Sequence, residues 1–259
     1  MIDLDLMKIR WLARLTEKPR LRKSDLILTL LPPLIWYAAL SSRPYLIETR
    51  CASSPEECVK ASIFTPDQIS LGMLNGKADE LSFTTQKLSG MIAVSLPFAW
   101  HFTYAALGRV LPGAALVGFA TDSVILFQSV AVNGAVNEIT RLIVQRPRPF
   151  VYGDPKTQGA NPAHYTSFYS GHTSFAAATM TALVLMLLGR GAPSILIALL
   201  ASADFVLVFL TGFFRVLAGR HFATDVLAGA LAGSLIAIGV ALYHRRQDTL
   251  TDPSSKKRQ

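Results

Sequence analysis

The chain has 259 residues, of which 51% are apolar and only 16% are charged, and its formal net charge is +8. This composition is too apolar for an ordinary soluble domain and is typical of a multi-span membrane protein. A basic chain can bind nucleic acid, but here the Lys and Arg residues gather at the two ends rather than along one face. We therefore expect no nucleic-acid partner, and basic flanks that attract anionic lipid head groups.

Six apolar stretches are long enough to cross a bilayer, which takes roughly 20 helical residues. They cover residues 25–41, 88–108, 113–145, 171–189, 193–214 and 222–243. Because backbone polar groups cannot stay unpaired in lipid, these stretches are expected to be helices, which predicts an all-α bundle of six transmembrane helices. The third stretch ends on polar residues that either rise out of the hydrocarbon or pack inside the bundle.

An even number of spans puts both basic termini on one side, and the positive-inside rule makes that side cytoplasmic. The predicted organisation is a basic cytoplasmic segment (1–24), a six-span domain (25–244) with an outer loop at 42–87, and a basic cytoplasmic tail (245–259). The predicted location is the inner or plasma membrane, with the bilayer as a partner. The sequence leaves open whether the chain forms a homo-oligomer.

The amino-terminal region leaves two alternatives open. The first span fits either an uncleaved anchor or a cleavable signal, and the long basic region before it favours the anchor. Within that region one helical face is apolar, which suits a helix on the inner leaflet, although a disordered basic leader fits as well. The apolar face comprises Leu4, Met7, Trp11 and Leu15.

Two cysteines, Cys51 and Cys58, both fall in the predicted first outer loop. In an oxidising compartment their spacing permits a disulfide that closes a small loop. A metal site would need more ligands, and no histidine lies near them in the sequence. We therefore expect a disulfide here and no metal.

Three short segments concentrate polar residues, and all three lie at predicted outer ends of helices. They read Arg141-x6-Arg148-Pro149, Ser170-Gly171-His172 and Arg215-x5-His221-x3-Asp225. The basic flanks alone predict the topology, and that topology places all three segments on the same side of the membrane. This agreement independently supports a shared site.

The residue types in these segments suit phosphate chemistry. Three arginines, Arg141, Arg148 and Arg215, can bind phosphate oxygens bidentately and stay charged at any working pH. Gly171 allows close approach of the backbone, and Ser170 adds a hydroxyl at a helix start, where free N–H groups favour anions.

The two histidines suit covalent catalysis. His221 and Asp225 are four residues apart and so share one helical face. Asp225 could accept a proton from one ring nitrogen, which would leave the other nitrogen free to attack phosphorus. His172 comes from a different helix and could protonate the departing oxygen.

These segments resemble the motifs KxxxxxxRP, PSGH and SRxxxxxHxxxD of the type 2 phosphatidic acid phosphatases, whose fold is shared with vanadium haloperoxidases. The resemblance implies a phosphohistidine intermediate on His221, oriented by Asp225, with His172 as general acid. It implies no metal and no cofactor. The implied phosphate cradle is Arg141, Arg148, Ser170, Gly171 and Arg215.

The chain departs from these motifs at three positions. Arg141 replaces lysine, which keeps the positive charge and adds a guanidinium that can bind two phosphate oxygens at once. Tyr169 replaces proline, and Phe214 replaces a serine, which removes a hydroxyl near the phosphate site. None of these departures deletes a catalytic group, so they bear on substrate choice and rate rather than on the reaction.

The expected function is hydrolysis of a lipid phosphate or pyrophosphate ester at the outer membrane face. Candidate substrates are phosphatidic acid, phosphatidylglycerophosphate, an isoprenoid pyrophosphate and a lipid A phosphate. One alternative is a transferase that passes the phosphoryl group to another lipid acceptor. A non-catalytic scaffold is another alternative, against which the complete set of Arg, His and Asp residues argues. A transporter is the last, and polar residues inside the predicted spans favour it slightly.

Other ionisable residues are expected to have plainer roles. Arg146 and Arg220 adjoin the motifs and are interpreted as head-group helpers or solvated residues, and His244 as a residue of the membrane interface. His101, Asp122 and Asp204 fall roughly 12–16 Å from their cytoplasmic turns, at 1.5 Å per helical residue. Because buried charge is costly in a membrane, at least two of these three are expected to meet and to join helices.

Overall fold

The computed structural model describes residue 21, residue 23 and residues 25–246. The two predicted basic terminal segments, with the amphipathic face at residues 4–15, lie almost wholly outside the described residues. Within the described part there is no β-strand, which confirms the all-α prediction. The long helices are α1 (Asp25–Leu46), α2 (Gly76–Ala106), α3 (Pro112–Val144), α4 (Gly171–Gly189), α5 (Ser194–Leu217) and α6 (Ala223–Arg246).

Five of these helices, α1 and α3 to α6, are long and apolar enough to cross a membrane. The chain is therefore a multi-pass membrane protein. Helix α2 has 31 residues but falls outside this group, so the prediction of six spans is approximate. Short helical turns occupy the connections between α1 and α2 and between α3 and α4: Arg50–Ser53, Pro55–Glu57, Lys60–Ser62, Thr65–Ser70, Pro149–Gly153, Pro155–Gln158 and Pro162–Tyr165.

Helix α2 begins twelve residues before the predicted start at residue 88. The Asn75 side chain accepts a 3.1 Å hydrogen bond from the backbone N–H of Ala78 and so caps the first turn. The buried face of the first three turns of α2 consists of small and polar residues, among them Ser82 and Thr85. A search for apolar stretches misses such a face, because the helix packs inside the bundle without being hydrophobic. The outer segment is consequently shorter than predicted and covers residues 47–75.

Helix α4 lies at the centre of the bundle and packs against α2, α3, α5 and α6. Its side chains Met180, Leu183 and Leu187 belong to the main apolar core. Near the start of α4 the approach of α6 is close, because a Cβ added to Gly229 would lie 2.7 Å from the Ser170 carbonyl oxygen. Only glycine fits there. This packing brings the second and third polar segments of the sequence together.

The outer segment is fastened to the connection between α3 and α4. Cys51 and Cys58 form the expected disulfide, with their Cα atoms 5.5 Å apart. The backbone N–H of Cys51 donates a 2.8 Å hydrogen bond to the Tyr165 hydroxyl, which itself donates to the Gly159 carbonyl at 2.9 Å. The outer segment is thus part of the packed structure rather than a free loop.

The predicted contact among ionisable residues inside the bundle is present. His101 Nε2 lies 2.8 Å from Asp122 Oδ2, and both side chains are buried. Arg190, the residue that follows α4, places Nη2 2.7 Å from Asp122 Oδ1. Asp204 lies apart from this cluster and accepts a 3.0 Å hydrogen bond from the Thr181 hydroxyl.

The prediction that His244 is an interface residue is wrong. Its side chain is buried, and Nε2 lies 2.6 Å from Gln128 Oε1. A histidine near the end of an apolar helix has the sequence context of an interface residue. Here, however, the neighbouring helix offers a buried amide, which the local sequence does not reveal.

Candidate functional site

The three polar segments of the sequence meet at one cavity of about 310 Å³ between the ends of the helices. Of the eight residues predicted for the site, six line this cavity: Arg141, Arg148, Gly171, His172, Arg215 and His221. The other two, Ser170 and Asp225, are buried beside it. Helix ends at the same face of the bundle therefore bring together residues that are far apart in the chain.

The three arginines are each held through their Nη atoms, and Arg141 is held at both, because its Nη2 also donates to the Tyr169 carbonyl at 3.4 Å. Arg141 Nη1 donates to Glu138 at 2.7 Å, Arg215 Nη1 donates to Asp79 at 2.6 Å, and Arg148 Nη2 donates to the Thr166 hydroxyl at 3.2 Å. The Nε atoms of all three arginines are buried and have no hydrogen-bond partner among the described residues. Buried donors without partners need an explanation, and an anion bound between them supplies one.

Two carboxylates that the motifs do not contain hold these arginines in place. Glu138 lies between Arg141 and Arg43, and it is buried. Asp79 in the first turn of α2 pairs with both Arg215 and Arg220, the latter at 2.8 Å. The i,i+3 spacing of Glu138 and Arg141 is visible in the sequence. The role of Asp79 is not, because it lies on a helix start that apolar periodicity does not reveal.

His221 is fully buried, and its two ring nitrogens have different surroundings. Nδ1 donates a 2.7 Å hydrogen bond to the carbonyl oxygen of Ser167, whereas Nε2 has no partner among the described residues. This places the proton on Nδ1 and the lone pair on Nε2. Burial and then the positive charges of Arg215, Arg148 and Arg141 hold the pKa of His221 well below its usual value. The ring is therefore a neutral base at pH 7.

The predicted direct hydrogen bond between Asp225 and His221 is not present. Asp225 Oδ2 lies 3.8 Å from Nδ1, which is too far for a hydrogen bond. Oδ2 instead accepts from the Ser167 hydroxyl at 2.5 Å and from the Phe222 N–H at 2.9 Å. The two residues do share a helical face, but the start of α6 turns the carboxylate toward its own backbone. Asp225 thus holds Ser167, and Ser167 holds His221.

His172 stands in the first turn of α4, where it lines the cavity. Its ring packs edge-on against Phe83 at a centroid distance of 4.5 Å. The preceding Gly171 allows Arg141 to approach, since a Cβ there would lie 2.8 Å from Arg141 Nη2. The hydroxyl of Ser170 bonds to the Thr173 hydroxyl at 2.9 Å. This bond holds the Ser170 hydroxyl against the first turn of α4, and its contact with phosphate stays a prediction.

Two other residues near the motifs have definite contacts. The carbonyl of Tyr169, which stands at the position of a motif proline, accepts a 2.8 Å hydrogen bond from Asn137, and burial raises the pKa of its phenol to about 12. His164 bonds through Nδ1 to the Gln158 carbonyl at 2.7 Å. These contacts give Tyr169 and His164 structural roles beside the cavity rather than inside it.

Arg146, expected to be a helper or solvated, is neither at the cavity nor free. Its guanidinium donates to Asp225 at 2.6 Å and to Asp67 at 2.8 Å. Sequence reasoning missed Ser167, Asp67 and Asp79 altogether.

Within the described residues, no group of three or more His, Cys, Asp or Glu side chains lies together as a metal-ligand set would. Metal independence stays a prediction.

Comparison with known families gives one match. Residues 122–248, about half of the chain, match the family model of the PAP2 superfamily. This range includes α3 from Asp122 onward, the connection to α4, and all of α4, α5 and α6, and so contains all three polar segments. Comparison with solved structures finds no match.

Proposed function

This chain belongs to the PAP2 superfamily, and from that premise we propose that it hydrolyses phosphate esters of membrane lipids through a covalent intermediate on His221. One observation carries the proposal: His221 and the three arginines line the same cavity, and neither His221 Nε2 nor the three arginine Nε atoms have a hydrogen-bond partner among the described residues. A nucleophile surrounded by fixed cations suits a reaction at a phosphoryl group.

Substrate binding rests on the arginines. Arg141 and Arg215 are each partly neutralised by a carboxylate, whereas Arg148 has no acidic partner among the described residues. A phosphate group would supply the missing negative charge and accept hydrogen bonds from the free Nε atoms. Because the guanidinium groups are already oriented, little reorganisation accompanies binding.

In the first step the lone pair of His221 Nε2 attacks phosphorus. The N–P bond forms as the bond from phosphorus to the ester oxygen breaks, and His172 gives a proton to the departing alkoxide. The imidazole becomes positively charged as it bonds to phosphorus. The Ser167 carbonyl, which accepts the Nδ1 proton at 2.7 Å, and the nearby Asp225 carboxylate stabilise this charge.

In the second step water attacks the phosphorus of the phosphohistidine. The neutral His172 now acts as a base and takes a proton from that water. The N–P bond breaks, its electron pair returns to Nε2, and inorganic phosphate leaves the cavity. Both histidines are then ready for another turnover, because the proton taken from water replaces the one that His172 gave to the departing alkoxide.

Apolar cavity walls support a lipid as the substrate. Trp36, Val130 and Phe175 line the cavity beside the polar residues. They lie on three helices that are long and apolar enough to span the membrane. An amphiphile could keep its tail among such surfaces while its phosphate enters the cradle. The basic flanks favour cytoplasmic termini and therefore an active site at the outer face.

The test is phosphate release by the purified full-length protein in lipid nanodiscs. The panel contains phosphatidic acid, phosphatidylglycerophosphate, an isoprenoid pyrophosphate and a lipid A phosphate, each with and without an acceptor lipid. We expect phosphate release from at least one lipid and a phosphorylated peptide that contains His221. His164→Gln is the matched control for changes at His221, because the His164 side chain lies beside the site and its only hydrogen bond among the described residues is to a backbone carbonyl.

Two outcomes would contradict the proposal. Phosphate transfer that occurs only when an acceptor lipid is present would identify a transferase instead. Absence of release from every lipid, by protein that still binds inorganic phosphate, would favour a transporter or scaffold. For orientation, a membrane-impermeant soluble phosphate ester should be hydrolysed by intact cells if the cavity opens to the outside, and only by permeabilised cells if it opens to the cytoplasm.

A further inference from the structure

Arg146 is clamped between two buried carboxylates behind the cavity. Its Nη1 lies 2.6 Å from Asp225 Oδ1, and its Nη2 lies 2.8 Å from Asp67 Oδ2. The guanidinium carbon stands 4.0 Å from the centre of the Phe222 ring, so the plane of the cation is covered as well. Neither Arg146 nor Asp67 lines the cavity. The pair is therefore placed to act on the site only through other residues.

Asp67 brings the outer segment into contact with the start of α6. Its Oδ1 accepts a 2.9 Å hydrogen bond from the backbone N–H of Thr224, and its Oδ2 accepts from the Thr224 hydroxyl at 2.5 Å. Asp225 also accepts from a backbone N–H at this helix start. Two carboxylates at one helix terminus repel each other, and Arg146 compensates that repulsion by binding both.

Arg146 also reaches Ser167 by two routes. Its backbone carbonyl accepts a 3.1 Å hydrogen bond from the Ser167 N–H. Its side chain orients Asp225, whose Oδ2 accepts the Ser167 hydroxyl at 2.5 Å. The third polar group of Ser167, its carbonyl oxygen, accepts from His221. The direction of that carbonyl therefore depends on contacts that Arg146 maintains.

We infer that Arg146 and Asp67 are positioning residues that keep the Ser167 carbonyl aimed at His221, so that Nε2 always faces the phosphate cradle. This inference rests on the proposed function, since it assigns a role in a reaction at His221. Outer-segment residue Asp67 thereby becomes part of the catalytic apparatus without touching substrate. The cradle arginines have other partners, so substrate binding should not depend on this pair.

The test compares Arg146→Lys, Asp67→Asn and the double variant with the wild-type enzyme. Each single variant should lower kcat by about tenfold to a hundredfold, as is common when an orienting contact behind a reactive group is lost. KM and the inhibition constant of inorganic phosphate should stay within about threefold, because both report on the cradle. The double variant should lose hardly more than the worse single variant, since both residues act through Ser167.

Further variants separate positioning from folding. Thr224→Val removes hydroxyl contacts at 2.5 Å to Asp67 and 2.9 Å to Arg146 but keeps all charges, so a smaller loss of kcat is expected. Arg50→Gln is the matched control, because Arg50 also lies over an aromatic ring, that of Tyr165. In the described part of the chain it makes no hydrogen bond or ion pair with His221, Ser167 or Asp225. Rates are expressed per site that binds inorganic phosphate, so misfolded protein does not imitate a catalytic defect.

Each outcome has a distinct meaning. Wild-type enzyme that releases no phosphate from any lipid would overturn the proposed function and this inference with it. Active wild-type enzyme with variants whose kcat stays within about twofold would overturn the inference alone. A rise in KM and in the phosphate inhibition constant that matches the loss of rate would also overturn it, since the pair would then support binding. Losses of kcat that multiply in the double variant would overturn it as well, since two residues that both act through Ser167 cannot have independent effects.

Discussion

His221 and Ser167 form the contact on which the site depends, a 2.7 Å hydrogen bond from the imidazole Nδ1 to a backbone carbonyl. A carbonyl oxygen can only accept, so this contact fixes the proton on Nδ1. A carboxylate in the same place could exchange a proton with the ring, whereas a carbonyl cannot. The arrangement keeps Nε2 unprotonated as long as the ring stays neutral.

The first prediction concerns acid stability. The pKa of His221 lies well below 6.5 because of burial and, next, the charges of Arg215, Arg148 and Arg141. In the unfolded chain this residue should titrate near pH 6.5. Below that pH the unfolded state binds a proton that the folded state does not, so stability falls as the pH falls, and above it His221 has no effect.

The measurement is thermal unfolding at pH 7.5 and pH 5.0. The melting temperature should fall further from pH 7.5 to pH 5.0 in the wild-type protein than in His221→Asn. The fall should also be smaller in Arg148→Met than in the wild type, because one of the charges that disfavour the imidazolium is removed. Equal losses in the wild type and His221→Asn would show that this histidine is not held neutral by the fold.

The second prediction concerns the nucleophile. His221→Asn should lower phosphate release by about a thousandfold or more, because the lone pair that attacks phosphorus is removed. The amide can still donate to the Ser167 carbonyl, so the fold and the binding of inorganic phosphate should change little. Peptide mapping of the trapped phosphoenzyme under alkaline conditions checks the site. Phosphate on any other residue would contradict the assignment.

The third prediction concerns metals and vanadate. Activity should persist in excess chelator, because three arginines supply the positive charge that a metal ion supplies elsewhere. Vanadate should inhibit as a mimic of five-coordinate phosphorus bonded to Nε2. His221→Asn should therefore weaken vanadate inhibition far more than phosphate inhibition. Loss of activity in chelator that one added metal restores would refute the metal-independent mechanism.

The fourth prediction concerns the buried cluster at the other end of the bundle. Asp122 is fully buried between Arg190 and His101, so Asp122→Asn leaves the half-buried Arg190 cation without its carboxylate partner. This should lower the free energy of unfolding by about 3–5 kcal/mol while activity per folded molecule changes little. Asp204→Asn is the matched control and should cost less, since Asp204 accepts one hydrogen bond from a hydroxyl. A larger effect on activity than on stability would reverse this assignment.

The fifth prediction concerns the disulfide. Replacing Cys51 and Cys58 together by Ser should lower stability by about 2 kcal/mol, because the unfolded chain regains the freedom of a small loop. The outer segment carries Asp67, so activity should also become more sensitive to heat. Unfolding curves of the double variant and mass spectrometry of membranes prepared without reductant check both points. Two free thiols in the wild-type protein would contradict the bridge.

The sequence by itself determined the elements that depend on neighbours along the chain. Apolar length predicted α4 at its observed bounds, and it placed α3, α5 and α6 within a few residues of theirs. Motif spacing predicted His221, His172 and the three arginines as site residues, and all five line the cavity. These signals are local, because helical periodicity and a phosphate cradle both require given residue types at given intervals.

Only the tertiary structure decided which groups hold those residues. The acceptor for His221 is the backbone carbonyl of Ser167, and every residue has such a carbonyl, so nothing in the sequence marks this one. Asp79 binds Arg215 from a polar helix start, and Asp67 binds Arg146 from the outer segment. Apolar patterns in the sequence reveal neither place. A hydrogen-bond partner is selected by distance and direction after packing. For this reason the reacting groups could be predicted, whereas the contacts that orient them could not.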